Sequence, residues 1–318
     1  MLRIRPFLNT DAPALAEIWR GQPPARALVQ PMTPALLERY VFSKPYFDRN
    51  HLLLAFDGDS PVGFVHTAYG PSADLSTTDP RQGVVAMLMV VPRNDRTELA
   101  AELLRQAEAR LAADGATSLT AIGFWPNAPF YHGMYGGGRL PGVLESDAAL
   151  LGWFQAAGYQ SVARQVVMRA SLSSFRPLVN RQQLQVRRQC QMTTHLDPNP
   201  DSWWEACTLG QMNRTRFDLT ARGGRIVASV EYLDLEPLAS SWGVHAATLS
   251  RIICEADCRR QGLATFLLCE SLKQLQTQGF TLVETLMDET NQPALRLLAK
   301  LGYEVEDFGQ VLVKPLGA

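Results

Sequence analysis

Apolar residues recur at helical spacing in two long segments of the chain, residues 99–115 and 263–279. Each segment ends at a glycine, Gly115 or Gly279, the residue that most readily adopts the left-handed conformation that ends many helices. The pattern predicts two amphipathic helices. In the second of them the predicted buried stripe consists of Leu263, Phe266, Leu267, Leu272 and Leu275.

Short runs rich in Val, Ile, Leu and Phe precede each of these helices and predict three strands in each half of the chain. A shift of 164 residues brings the two halves into register without a gap. It aligns residues 51–57, 60–71, 83–92 and 96–104 with residues 215–221, 224–235, 247–256 and 260–268. Residue identity is low, but the order of residue types agrees, which indicates an internal repeat.

The same three elements are predicted after each long helix: a strand, a helix that runs into Gly-Tyr, and a final strand. They lie at residues 118–124, 146–159 and 160–172 in the first half and at 281–287, 291–303 and 304–316 in the second. The pattern predicts an α+β fold of two tandem domains, each a mostly antiparallel twisted sheet with packed helices. We expect domains at 1–172 and 186–318, the second opening with a strand at 186–196, and a linker at 173–185.

The first half is longer because of an insertion, residues 126–145, which is rich in glycine and aromatic residues. Gly136 to Gly138 would give this segment conformational freedom, and Phe130, Tyr131, His132 and Tyr135 could contact a ligand. Two interpretations remain open. The segment is either a lid over an acceptor, which we slightly favour, or a flexible surface excursion.

Composition excludes several classes of protein. The 318 residues are 46% hydrophobic and 19% charged with a net charge of -1, which is typical of globular domains and gives no basic excess for nucleic-acid binding. Apolar runs stay far below the ~20 residues that a membrane-spanning helix needs, and the start lacks a secretion signal. We therefore expect a cytoplasmic protein. Five cysteines without zinc-type spacing favour reduced thiols, and no residues are assigned to a metal.

The stretch Cys258-Arg-Arg-Gln-Gly-Leu-Ala-Thr265 joins a predicted strand to the start of the second long helix. A helix start leaves unpaired N–H groups and favours an anion, Gly262 allows close approach of the backbone, and Arg259 and Arg260 can add charge-assisted bonds. The stretch therefore fits a diphosphate site. An ordinary turn with a solvated arginine pair explains it equally well.

"RRQGLA", residues 259–264, resembles the Arg/Gln-x-x-Gly-x-Gly/Ala signature of the GNAT acetyltransferase superfamily. The elements around it come in the family's order, and "NQPALRLLAKLGY", residues 291–303, resembles the family's Asn-x-x-Ala…Leu-Gly-Phe/Tyr helix. The resemblance covers residues 186–318 well and, through the repeat, residues 1–172 more faintly. The plan of two such halves is similar to that of the mycothiol synthases, tandem GNAT proteins with one catalytic half.

The resemblance implies an N-acetyltransferase that binds acetyl-CoA as co-substrate. The diphosphate would lie on Arg259, Arg260, Gln261, Gly262, Leu263, Ala264 and Thr265. The pantetheine arm would pair with the preceding strand near Ile252 and Cys254. Asn291 would sit beside that arm, although it also suits a helix N-cap. The acceptor, a small-molecule amine, would attack the thioester directly in a ternary complex.

The first half departs from this pattern. Asp95 stands at the position of Arg259 and Glu98 at that of Gly262, which puts negative charge where a diphosphate would dock. Thr97 resembles an ordinary N-cap. We therefore expect a degenerate N-terminal domain.

Catalytic groups are less clear from the sequence. Family members often place a tyrosine acid at the position of Leu298 and a glutamate base at that of Leu286 or Ser250. None of these three residues is itself the acid or base that the family uses there. Candidate bases are Glu231, Tyr232 and Glu255. Two other functions stay open: an acyl-CoA-binding sensor without turnover, and a structural or interaction protein. We expect no nucleic-acid or membrane partner, and either a monomer with an internal pseudo-dimer or a weak homodimer.

Overall fold

The computed structural model describes residues 2–316 of the chain. Its first half contains α1 to α4 and β1 to β7, with short 3-10 turns at Asn9–Asp11 and Arg49–His51 and a π-helical turn at Glu38–Phe42. The elements are β1 Leu2–Pro6, α1 Ala12–Arg20, α2 Pro34–Leu37, β2 Leu52–Asp57, β3 Ser60–Pro71, β4 Thr78–Val90, α3 Arg96–Ala113, β5 Ser118–Ala121, β6 Val143–Leu144, α4 Ala148–Ala156 and β7 Gln160–Ser171.

The second half repeats this order without counterparts of α2 and β6, and it adds one helix at its start and another between its third and fourth strands. The elements are α5 Arg181–Gln189, β8 Cys190–Leu196, α6 Trp203–Leu209, β9 Arg214–Ala221, β10 Ile226–Asp234, α7 Glu236–Trp242, β11 Ala246–Cys254, α8 Leu263–Thr277, β12 Leu282–Asp288, α9 Gln292–Lys300 and β13 Glu304–Pro315. A 3-10 turn at Ala256–Cys258 precedes α8. The mixed α+β fold and the internal repeat are confirmed.

Two compact units form, and each takes segments from both halves of the chain. The first contains the chain up to Gln165, Pro200–Gln211 and the chain from Asp307 onward, and the second contains Val166–Asn199 and Met212–Glu306. Local periodicity identifies a strand or helix but not the element that it packs against. The sequence pattern therefore does not predict that each unit takes segments from both halves of the chain. The domain boundaries given by chain order stay a prediction.

In the first unit, β1 to β4 pair antiparallel in chain order, and β5 is parallel to β4. The end of β13 then pairs antiparallel with β5, with Val313 opposite Thr120. The buried side of α3 includes Leu99, Leu103, Ala107 and Leu111, as the helical spacing predicts. Gly115 follows the helix with φ +96°, which confirms its predicted role at the helix end.

In the second unit, β8 to β11 pair antiparallel in chain order, β12 is parallel to β11, and β7 lies beside β12. The predicted stripe of α8 is buried, and Gly279 follows the helix with φ +94°. The strand expected over residues 186–196 is wrong in its first part, because α5 occupies the chain up to Gln189. Asn180 starts that helix by accepting a hydrogen bond from the Gln183 amide.

The glycine-rich insertion is neither a lid nor a flexible excursion, and both expectations are wrong. Phe130, Tyr131, His132 and Tyr135 are all buried in the first unit. The two ring nitrogens of His132 contact the Ala128 and Gly138 carbonyls, and the Tyr135 hydroxyl accepts a bond from the Leu144 amide. The glycines serve close packing here, because a Cβ atom on Gly142 would lie 2.3 Å from the Gln310 oxygen.

None of the helices within residues 2–316 is long and apolar enough to cross a membrane. All five cysteines are free, and Cys269 is buried.

Candidate functional site

The turn between β11 and α8 takes a left-handed conformation at two of its residues. Arg260 has φ +62° and Gly262, which directly precedes the helix, has φ +81°. No side chain among the described residues caps this helix start, and the first helical bond runs from the Phe266 amide to the Gly262 oxygen. The amides of Leu263, Ala264 and Thr265 therefore point out of the helix end, where the helix dipole favours an anion.

The two arginines of the turn are exposed. The Arg259 Nε donates to the Cys254 oxygen at 3.3 Å, which folds this side chain back along the end of β11. The Gln261 amide group donates to the Asp257 oxygen at 3.2 Å. Arg259 and Arg260 thus flank an uncapped helix start with two positive charges, an arrangement that suits a diphosphate.

Helix α5 lies against this turn, a contact that the sequence did not predict. The Gln183 Nε2 lies 3.4 Å from the Gly262 oxygen, and a Cβ atom on Gly262 would lie 2.7 Å from Cδ of Gln182. Both glutamines come from the end of the segment predicted as a linker. Their polarity resembles that of any exposed linker, so only the tertiary contact reveals their position beside the turn.

Strands β11 and β12 separate part of the way along their length. They pair only from Ala246–Leu249 to Leu282–Thr285, although β11 continues to Cys254 and β12 to Asp288. Beyond that point β11 still pairs with β10 on its other side. On the edge of β11 that faces β12, the backbone groups of Ile252 and Cys254 are therefore available for an extended ligand. Ile252 and Cys254, predicted to face the pantetheine arm, are on this edge and half-buried.

Asn291 is the N-cap of α9. Its Oδ1 accepts a hydrogen bond from the Ala294 amide at 3.3 Å, and its Nδ2 lies 3.4 Å from the Met287 sulfur. The side chain is exposed. The capping interpretation is therefore present in the structure, and a role beside a coenzyme stays a prediction.

Glu231 lies at a bulge where the pairing of β10 with β11 shifts register, between Glu231 and Tyr232. Its Oε1 accepts a bond from Arg214 at 2.8 Å, and both side chains are buried. The Ser250 hydroxyl lies 3.1 Å from the Glu231 main-chain oxygen and 3.4 Å from its Oε1. Ser250 is also the first residue of β11 beyond its pairing with β12. Position 250 lacks the glutamate that some family members have there. Glu231, on the neighbouring strand β10, contacts Ser250 instead.

The other two candidate bases have different surroundings. The Tyr232 hydroxyl is buried and lies 2.8 Å from the Ser271 hydroxyl on α8, and burial raises its pKa far above the usual range. Glu255 is exposed and pairs with Arg225 at 3.3 Å. The structure therefore brings Glu231, but not Tyr232 or Glu255, into contact with Ser250. Leu298 is fully buried and Leu286 is half-buried.

The equivalent turn in the first unit, before α3, has acidic residues in place of the arginine and glycine of the second unit. Asp95, not Thr97, is the N-cap of α3, so the predicted cap is wrong by two positions. Arg93 pairs with Asp95, and the Arg96 Nε donates to the Val90 oxygen at 3.0 Å, which draws both cations toward the protein's own oxygens. Glu98 adds a carboxylate in the first turn. These charges oppose an anion at this helix start.

Residues 181–303 match the model of the acetyltransferase (GNAT) family. No curated protein matches the chain. A tandem GNAT protein from the clavulanic acid biosynthesis pathway matches 100% of this chain and 99% of its own with 16% identity and a TM-score of 0.69. A GCN5-related N-acetyltransferase from Sphaerobacter thermophilus matches 100% of this chain and 97% of its own with 16% identity and a TM-score of 0.64.

A third similar structure is a glucosamine N-acetyltransferase region of a fungal multi-domain β-N-acetylglucosaminidase. It covers 99% of this chain and 38% of that one, with 13% identity and a TM-score of 0.72. At these identities the solved structures show the fold alone, and this similarity of fold extends over the whole chain.

Proposed function

Because residues 181–303 match the model of the acetyltransferase (GNAT) family, we propose that the protein transfers an acetyl group from acetyl-CoA to a small-molecule amine. The observation that carries this proposal is the uncapped start of α8, which follows the part of β11 that extends beyond its pairing with β12. The amides of residues 263–265, with Arg259 and Arg260, would hold the diphosphate. The edge from Ser250 to Cys254 would pair with the pantetheine arm.

The acceptor amine would attack the thioester carbonyl beside Ser250, where β11 and β12 separate. The nitrogen forms a bond to the acetyl carbon, the carbon–sulfur bond breaks, and the products are an N-acetyl amine and coenzyme A. Holding both reactants in one cleft supplies much of the rate, because it removes the entropy cost of a bimolecular encounter.

An acceptor that arrives as an ammonium ion must first lose a proton. Glu231 is the base that we favour, since its carboxylate contacts the Ser250 hydroxyl at 3.4 Å and Arg214 fixes its position. The hydroxyl of Ser250 would pass the proton from the amine to the carboxylate. The attacking nitrogen carries a second proton after the bond forms, and that proton would neutralise the departing thiolate. Glu255 and Tyr232 are the other two candidate bases, and substitution of each provides the comparison that tests the assignment of Glu231.

Calorimetric titration of acetyl-CoA together with a transfer assay on a panel of amines tests the proposal. The variant Gly262→Glu should lose binding, because it adds a carboxylate at the diphosphate position. Gly279→Glu is the matched control: it also has a left-handed backbone, at the opposite end of α8, with nothing within 4 Å of an added Cβ. Binding without transfer would favour the acyl-CoA sensor, and no binding at all would favour the structural protein.

A further inference from the structure

Four charged or titratable residues of the second unit are in register across neighbouring strands. His195 on β8 pairs with Arg216 on β9, Arg216 pairs with Glu231 on β10, and Glu231 pairs with Arg251 on β11. Side chains directly opposite each other on adjacent strands share one face of a sheet. This row therefore leads along one face from the outer strand β8 to the bulge at Glu231 and Ser250.

One buried carboxylate, that of Asp218, lies within ion-pair distance of both Arg216 and His195. The Asp218 Oδ2 lies 3.3 Å from the Arg216 Nε and 3.2 Å from the His195 Nε2, and Asp218 is only 2% exposed. The terminal nitrogens of Arg216 have no hydrogen-bond partner within residues 2–316, and its side chain is 32% exposed. The outer edge of the Arg216 guanidinium, beside the Asp218 carboxylate, is therefore available for a ligand.

That edge borders an open, polar cavity of about 560 Å³ in the second unit. Thr194, His195, Asn199 and Arg216 contribute polar groups to its wall. Asp197 also lines it, but the Asp197 carboxylate accepts a hydrogen bond from the Arg214 amide at 3.0 Å. The cavity therefore offers the two terminal nitrogens of an arginine, a fork that can bind a carboxylate through two parallel hydrogen bonds.

We propose that the acceptor carries a carboxylate as well as its amine, and that Arg216 binds this carboxylate while the amine reaches Ser250. This inference rests on the proposed function. Strands β9 and β11 are separated by two strand spacings, about 10 Å. Because the Arg216 side chain spans part of that distance, the amine and carboxylate of the acceptor should be roughly 5 to 10 Å apart. Amino acids with a terminal amine on a flexible chain have this form.

The test compares acetyl transfer to 4-aminobutyrate and 6-aminohexanoate with transfer to n-butylamine and n-hexylamine. The wild-type protein should prefer the carboxylated amines in kcat/KM by roughly 10-fold or more, mostly through KM. Arg216→Gln should bring this preference close to one, and Arg216→Lys, which keeps the charge but loses the fork, should give an intermediate value. The exposed Arg222→Gln, at the turn between β9 and β10, is the control and should keep the preference.

Circular dichroism and the affinity for acetyl-CoA establish that each variant is folded. Equal use of both amine classes by the wild type, or a preference that survives in Arg216→Gln, would overturn the inference while leaving the acetyltransferase function in place. Failure to bind acetyl-CoA would instead contradict the proposed function. If the coenzyme binds but no amine reacts, titration of 6-aminohexanoate into the coenzyme A complex decides: binding by the wild type but not by Arg216→Gln supports the carboxylate site, and no difference contradicts it.

Discussion

The side chain of Gln182 lies against Gly262, such that a Cβ atom on this glycine would be 2.7 Å from Cδ of Gln182. The turn that is proposed to bind a diphosphate is therefore packed against the first residues of α5. Gly262 meets two requirements at once, a left-handed backbone and the absence of a side chain.

Gly262→Ala should lower the free energy of unfolding more than Gly279→Ala. Both substitutions place a side chain on a left-handed residue, at roughly 1 to 2 kcal/mol each. Only the first also displaces Gln182, which should add about 1 kcal/mol. Urea denaturation of both variants measures the difference. Adding Gln182→Ala should remove the extra cost from Gly262→Ala, and an unchanged cost in that double variant would show that the contact is unimportant.

Glu231→Gln should reduce kcat for acetyl transfer by roughly 100-fold or more at neutral pH, with little change in acetyl-CoA affinity, because the amide cannot accept the amine proton. Ser250→Ala should also reduce kcat. Rate measurements from pH 6 to 10 provide the check, since a variant without the base should regain activity as the free amine becomes more abundant. Glu255→Gln and Tyr232→Phe are the comparisons. A larger loss in either one would move the base away from Glu231.

Lys44→Met should destabilise the first unit by about 2 to 3 kcal/mol. The Lys44 Nζ donates to the carbonyl oxygens of Cys207 and Thr208, each at 2.7 Å, and so satisfies the last carbonyls of α6. Burial lowers the pKa of Lys44 to about 8, but its hydrogen bonds remain available at neutral pH. Thermal unfolding compared with the exposed Lys273→Met measures the effect, and equal stability of the two variants would contradict it.

Acid should weaken the first unit through its buried histidines. Desolvation lowers the pKa of His66 to about 3 and that of His132 to about 4, from the ordinary value of 6.5. Below pH 6.5 the unfolded chain binds protons that the folded chain does not, so the free energy of unfolding falls as the pH falls toward 4. The slope approaches about 1.4 kcal/mol per pH unit for each histidine.

Urea unfolding at pH 7.5 and pH 5.0 measures this slope. His66→Gln should reduce this pH dependence by the contribution of one histidine, at most about 1.4 kcal/mol per pH unit. A slope that does not respond to His66→Gln would show that this histidine is not held neutral by burial.

The sequence predicts the features that depend on neighbouring residues. The stripe of α8, the glycines after α3 and α8, and the repeat are visible because helical spacing and turn residues act locally. The left-handed turn at Gly262 follows from the same local chemistry. These features are enough to locate the candidate coenzyme site.

Three features depend on distant residues and could not be predicted. The end of β13 pairs with β5, the aromatic insertion becomes core, and Gln182 packs on Gly262. Strand pairing depends on which edges are free in the folded unit. Glycines in a loop allow tight packing as readily as flexibility. The glycine-rich sequence around Tyr131 and His132 therefore did not indicate that these two side chains are buried. The contact of Glu231 with Ser250 likewise arises from a bulge in the pairing of two strands.

A crystal structure of the protein with acetyl-CoA tests the central claim most directly. The account predicts one coenzyme in each chain, with its diphosphate within hydrogen-bond distance of the amides of residues 263–265 and its pantetheine arm along Ser250 to Cys254. A coenzyme bound at the turn around Asp95 and Glu98 in the first unit, or one bound away from both turns, would contradict it.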